Sequence, residues 1–213
     1  LSGASTYTGA TNVNGGTLAL TGSLASTTVN VASGAALTST GGLADGTSLA
    51  LTGTAAATFT AAETLAALSG AGTVSATDLT VGMLDGTAAI TSSGTVTASS
   101  GTFSGDILSG NIVKTSAGTL TLDNDLTTAG SVNVTAGTLV LAHATDTLND
   151  VSALSVQSGA TVSINGTDTV ASLVTNGGPP SGASTLTAAA HAPNAAATAH
   201  ARHRAAALAP AAR

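Results

Sequence analysis

Gly130-Ser-Val132-Asn-Val134-Thr-Ala-Gly137-Thr-Leu139-Val-Leu141 is the stretch that decides the fold. Val132 and Val134 alternate with polar neighbours, and so do Leu139 and Leu141 across a Thr-Ala-Gly corner. Alternation at period two means a strand with one buried face. The stretch has an earlier counterpart, Gly9-Ala-Thr-Asn-Val13-Asn-Gly-Gly16-Thr-Leu18-Ala-Leu20, at a constant offset of 121. Strand–corner–strand is therefore a unit that recurs, and the search for repeats precedes every other reading.

Working outward, similar pairs appear at Val29/Val31, Leu49/Leu51, Leu120/Leu122, Leu154/Val156 and Val162/Ile164. Between them lie Gly-rich corners such as Ser33-Gly34, Asp45-Gly46, Asp85-Gly86 and Asn165-Gly166, residue types that accept the φ > 0 of tight turns. A longer duplication aligns residues 43–72 with 148–177 at an offset of 105, without a gap. It matches Leu43 with Leu148, Asp45 with Asp150, Leu49 with Leu154, Phe59 with Ile164, Glu63 with Asp168 and Leu68 with Leu173. Val31 to Leu51 and Val134 to Leu154 are each 20 residues, about one coil of a solenoid. The expected fold is all-β, a parallel β-helix whose coils stack ~4.8 Å apart.

Composition supports a thin interior. Leu, Val, Ile and Phe are 44 of 213 residues, and Tyr7, Phe59 and Phe103 are the only aromatics. A β-sandwich core ordinarily recruits Trp, Tyr and Phe, whereas narrow coils fill with aliphatic ladders and leave little room for rings. Absence of Cys excludes a disulfide scaffold and Cys-bound zinc. Four basic residues against ten acidic ones exclude a phosphate-binding surface, so no nucleic-acid partner is expected. No apolar run approaches the ~18 residues of a spanning helix, so this segment is not expected to insert in a membrane.

The chain divides near residue 178. Residues 1–178 hold all ten acids and a single base, Lys114, for a net −9; residues 179–213 hold Arg202, Arg204 and Arg213, for +3. All four Pro lie in the second part, and strand alternation stops after Leu186. The expected domains are a β-helix over 1–178 and a low-complexity Ala/Pro/His/Arg tail over 179–213. The tail is read as poorly ordered, or helical on the Ala propensity of 195–209. From about Ala188 its composition also matches a shifted reading of a GC-rich frame. Without a starting Met or a signal segment, the whole reads as a piece of a longer chain.

The opening residues, Leu1-Ser-Gly-Ala-Ser5-Thr-Tyr7-Thr-Gly-Ala-Thr-Asn-Val13-Asn-Gly-Gly16-Thr-Leu18-Ala-Leu20, resemble the passenger-associated β-strand repeat of bacterial autotransporters. That family's pattern is Leu-Ser-Gly-x-Asn-Thr-Tyr-Thr-Gly-x-Thr-x-Val-x-x-Gly-Thr-Leu-x-Leu. Ser5 departs from its Asn, and the copy ending at Leu141 lacks the Tyr-Thr-Gly portion. The resemblance implies a right-handed β-helical stalk, secreted through the outer membrane by type V secretion and displayed at the cell surface, supporting adhesion. Its partners would be the neighbouring coils of a full-length passenger and an unidentified host or matrix ligand. It carries over no catalytic residue, metal ligand or cofactor, and no enzymatic activity is expected. The alternatives are a carbohydrate-binding or carbohydrate-active β-helix and, second, an ice-binding solenoid.

Several residues are candidates for chemistry. Asp123 and Asp125 flank Asn124 and could form a Ca²⁺ site or an acid pair, against the plainer reading of a solvated turn; the Gly-Gly-x-Gly-x-Asp repeat of Ca²⁺-binding solenoids is absent. His143 with Asp146 is the nearest approach to a Ser/His/Asp set, but no Gly-x-Ser-x-Gly elbow exists. His200 and His203 have metal-compatible i,i+3 spacing on a helix, opposed by Arg202 and Arg204. Thr-x-Thr pairs at Thr6/Thr8, Thr58/Thr60, Thr95/Thr97 and Thr119/Thr121 are not one coil apart, which argues against the flat register ice binding needs. Asn133-Val-Thr135 and Asn165-Gly-Thr167 form sequons, read as accidental in a bacterial chain.

Overall fold

The computed structural model describes residues 1–126, 130–148, 150 and 152–176, and the backbone of 185–193. Among the described residues every regular element is a strand and every strand pairing is parallel, as a stacked solenoid requires. Three ladders run along the coils.

The first ladder starts with β1 (Thr11–Val13), β3 (Thr28–Val31) and β5 (Ser48–Leu51). It passes through the C-terminal parts of β7 (Glu63–Gly70), β9 (Leu79–Leu84) and β11 (Thr95–Phe103). It ends in β14 (Thr119–Leu122), β16 (Thr138–Leu141) and β18 (Thr161–Ile164). The second begins as single bridges, Ser5 to Leu24 to Leu43. It widens into the N-terminal parts of β7, β9 and β11, then β13 (Asn111–Lys114), β15 (Ser131–Val134), β17 (Ala153–Val156), β19 (Thr167–Thr175) and β20 (Thr185–Pro193). The third is the six-stranded sheet of β2 (Thr17–Leu20), β4 (Ala36–Ser39), β6 (Ala56–Phe59), β8 (Thr73–Ala76), β10 (Ala89–Ser92) and β12 (Ile107–Leu108).

Inward side chains stack in rows, because parallel pairing places like phases of the alternation over one another. Val29, Leu49, Leu68 and Leu84 form one such row, and Leu79, Val96, Ile112, Val132, Leu154 and Leu173 another. The coil is not a fixed 20 residues. Register partners are 16 or 17 residues apart in the coils between Ala56 and Lys114, and 18 to 23 apart elsewhere. The short coils are those in which β7, β9 and β11 run unbroken from the second ladder into the first. The longer ones insert a turn at the same corner, as between β13 and β14.

One expectation is corrected. Rings were expected to fit poorly, yet Phe59 and Phe103 are both buried, and Phe103 is among the largest fully buried side chains. Small neighbours make the room: Ser39 is the register partner of Phe59, and Gly86 bridges to Phe103. Beyond residue 178, β20 pairs in register with β19 from Thr185 to Pro193, past the end of side-chain alternation. Backbone pairing does not require an apolar face. Residues 194–213, with the Ala-rich run read as helical, lie outside the described residues.

The duplicated segments adopt the same local path on different faces. Leu49 stands in the first ladder and its counterpart Leu154 in the second; Phe59 ends a third-ladder strand and Ile164 a first-ladder one. The intervening short coils advance the repeat by one face.

Candidate functional site

Most sequence candidates fall on exposed corners. Asp123 and Asp125 follow β14 and are both exposed; the Asp123 amide donates to the Phe103 carbonyl at 2.9 Å. His143 is half-buried, and its Nδ1 lies 2.9 Å from the backbone carbonyl of Asp146, 3.4 Å from Thr145 Oγ1. It thus meets the main chain of Asp146 where a triad would need the carboxylate. Among the described residues no group of three His, Asp or Glu is arranged to hold a metal ion. His200, His203, Arg202 and Arg204 lie outside the described residues. Of the sequons, Asn165 is exposed, while Asn133 is half-buried on β15. A recess of about 270 Å³ at the β1–β2 corner is lined by Thr11, Asn12, Val13, Asn14, Gly15, Thr17 and Leu18, without a charged or aromatic side chain.

The hydroxyls do come into register, but as rows that take one member of a Thr-x-Thr pair, Thr58 or Thr97, with single hydroxyls of the adjacent coils. Thr38, Thr58, Ser75 and Thr91 are successive partners on the third ladder, and Thr64, Thr80 and Thr97 on the second. Counting pairs along the chain missed these rows because coil length varies.

The acids that matter structurally were not singled out by sequence. Exposed carboxylates stitch one coil to the next: Asp78 Oδ1 accepts the Thr95 amide and Asp85 Oδ1 the Thr102 amide, each at 2.7 Å. Two buried carboxylates do so in the opposite direction. Glu63, 4% exposed at the head of β7, accepts the Leu43 amide at 3.0 Å. Asp168, 3% exposed in β19, accepts the amides of Thr147 at 3.1 Å and Leu148 at 3.3 Å. Burial pushes Glu63 up to about 7, against the Leu43 hydrogen bond and with help from the charge of Asp45. Burial likewise pushes Asp168 up to about 7, opposed by the Thr147 amide and reinforced by Asp146. Asp146 is itself raised, first by burial, with Asp150 and Asp125 adding to the push. The signal was available in the sequence: Glu63 and Asp168 are the aligned acids of the duplication.

Lys114 is the other hidden charge. It occupies an inward position on β13, where its neighbours in the row are Ala98 and Val134. Its Nζ donates to the carbonyls of Thr115, Ser116 and Ala136, the last at 3.1 Å. Burial lowers its pKa. The cage closes the β13–β14 corner, where Ser116 has a φ of 63°, the one positive value on a non-glycine among the described residues.

The described residues form a parallel β-solenoid of repeated strand–corner–strand coils, in which Glu63, Asp78, Asp85 and Asp168 each accept a backbone amide of an adjacent coil. Residues 1–20 and 112–141 match the family model described as the passenger-associated transport repeat. The two stretches, 50 of the 213 residues, are similar to that repeat, and together with the stacked parallel coils they fit an autotransporter passenger with repeats. The second match opens at Ile112 and takes in β13 to β16, a longer copy than the one read from Gly130. No curated protein and no solved structure matches the chain.

Proposed function

We propose that this chain is a stalk segment of a surface-displayed autotransporter passenger, non-enzymatic, which holds an adhesive part of the molecule away from the cell. The observation that carries the reading is the in-register stacking of coils bearing the transport repeat, with carboxylates and Lys114 engaged by backbone of the same or an adjacent coil. Each coil buries its apolar row against its neighbours, so folding can propagate from coil to coil as the chain emerges. The partners in this reading are further coils of the passenger and a host or matrix surface. An epitope placed beside the exposed Tyr7 tests display. Antibody labelling of intact cells making the parent protein is expected, and labelling only after lysis rejects display. Loss of adherence when these coils are deleted in frame tests the adhesive role.

A further inference from the structure

Glu63 and Asp168 stand at matched places in the two copies of the duplication, and each reaches back 20 residues to the amide of the matched leucine, Leu43 or Leu148. Each is buried. Each also faces a second acid, Asp45 beside Glu63 and Asp146 beside Asp168, with Asp150 and Asp125 behind Asp146. The other charged or titratable groups nearby are accounted for. Asp78, whose carbonyl accepts the Glu63 amide, has its own carboxylate on Thr95. His143 rests against the Asp146 carbonyl. Lys114 is held by three carbonyls at another corner. Neither buried carboxyl has a cation among its hydrogen-bond partners or charge neighbours in the described residues.

We propose that Glu63 and Asp168 are twin proton-operated latches that lock two coil junctions in mild acid and loosen them when the carboxyls ionise. A protonated carboxyl fits the apolar interior and still accepts the backbone amide. An ionised one must be solvated and is repelled by Asp45 or Asp146. The sign follows from proton linkage. A carboxyl held above its ordinary range binds a proton more tightly folded than unfolded. Its stabilising share is complete below the ordinary carboxylate range and is lost as pH rises from about 4 to about 7. That is the reverse of the usual behaviour of paired carboxylates. Its size is on the order of a hundredfold in the folding equilibrium for each latch between pH 5 and pH 8.

The test is denaturant unfolding of the full chain at both pH values, for the unmodified protein, Glu63→Gln, Asp168→Asn and the double variant. The unmodified protein is expected to be less stable at pH 8, each single variant to lose part of that dependence, and the double variant most of it. Comparing slopes between variants isolates the share that Glu63 and Asp168 contribute. A double variant that keeps the full pH dependence overturns the proposal, as does an unmodified protein no less stable at pH 8. Should a variant fail to fold, carboxyl ¹³C titration of the unmodified protein decides. Midpoints for Glu63 and Asp168 well above the ordinary carboxylate range are expected, with Leu43 and Leu148 amide exchange rising through the same window; midpoints in the ordinary range overturn it.

Discussion

At position 101 the backbone has a φ of 128°, and an added Cβ would lie 1.9 Å from the Leu84 carbonyl oxygen. Gly101 sits where β11 turns from the second ladder to the first without an inserted loop, so the neighbouring coil's main chain passes directly over it. Both the conformation and the close approach exclude a side chain. Gly101→Ala is expected to cost more than about 2 kcal/mol, read as a lowered denaturant midpoint. Lys114 makes the opposite point, since a long side chain is demanded there. Lys114→Met keeps the volume and removes the desolvation cost of the charge, but it strips donors from three carbonyls at a turn already held at positive φ. With hydrogen bonds to charged groups at ~1.5–3 kcal/mol each and buried-charge relief opposing them, a net loss of about 2 kcal/mol is expected, with faster amide exchange at Ser116.

Between elements, the corner and not the strand absorbs change in length. The second-ladder segment of β11 is continuous with its first-ladder segment, while β13 and β14 are separated by the turn 115–118. Insertion of Gly-Ser after Ala117 therefore lengthens an existing turn and is expected to change stability by less than about 1 kcal/mol. Insertion of one residue after Val96, inside the second-ladder part of β11, reverses the facing of Thr97 and Ala98 and is expected to abolish cooperative unfolding followed by circular dichroism. Much of this was legible beforehand. Val132, Val134, Leu139 and Leu141 alternate, and they form the inward rows of β15 and β16. The short coils were not legible, because 64–69 has no Gly or Pro at the corner and a single Gly82 is all that marks it in 79–84. Nor were the buried charges: Glu63, Asp168 and Lys114 occupy phases of the alternation that apolar residues ordinarily fill, and only tertiary hydrogen bonds make them tolerable there.

For the whole molecule, stacking means that each coil touches only its two neighbours, so stability is approximately a sum over coils and interfaces. The register states where a coil can be removed without a scar. Ile112 pairs with Val132 and Lys114 with Val134, so excising residues 112–131 joins Asn111 to Val132 and lays β15 directly against β11. The inward row then reads Val96, Val132, Leu154, all aliphatic, and the buried Lys114 leaves together with its coil. This deletion is expected to give a folded chain with cooperative unfolding, shorter by one strand spacing of ~4.8 Å, a change measurable by small-angle scattering as a reduced maximum dimension. Excision of half that length, residues 112–121, brings Leu122 into the phase of Ile112 but carries the first-ladder corner onto the second-ladder face. The two faces turn at different places, so the coils above and below lose pairing together. That shorter deletion is expected to yield no cooperative transition. A shorter cut that damages more than a longer one is the behaviour that separates a stacked solenoid from a globule, in which damage grows with the amount of core removed. Equal tolerance of the two deletions would reject the coil as the unit of this fold.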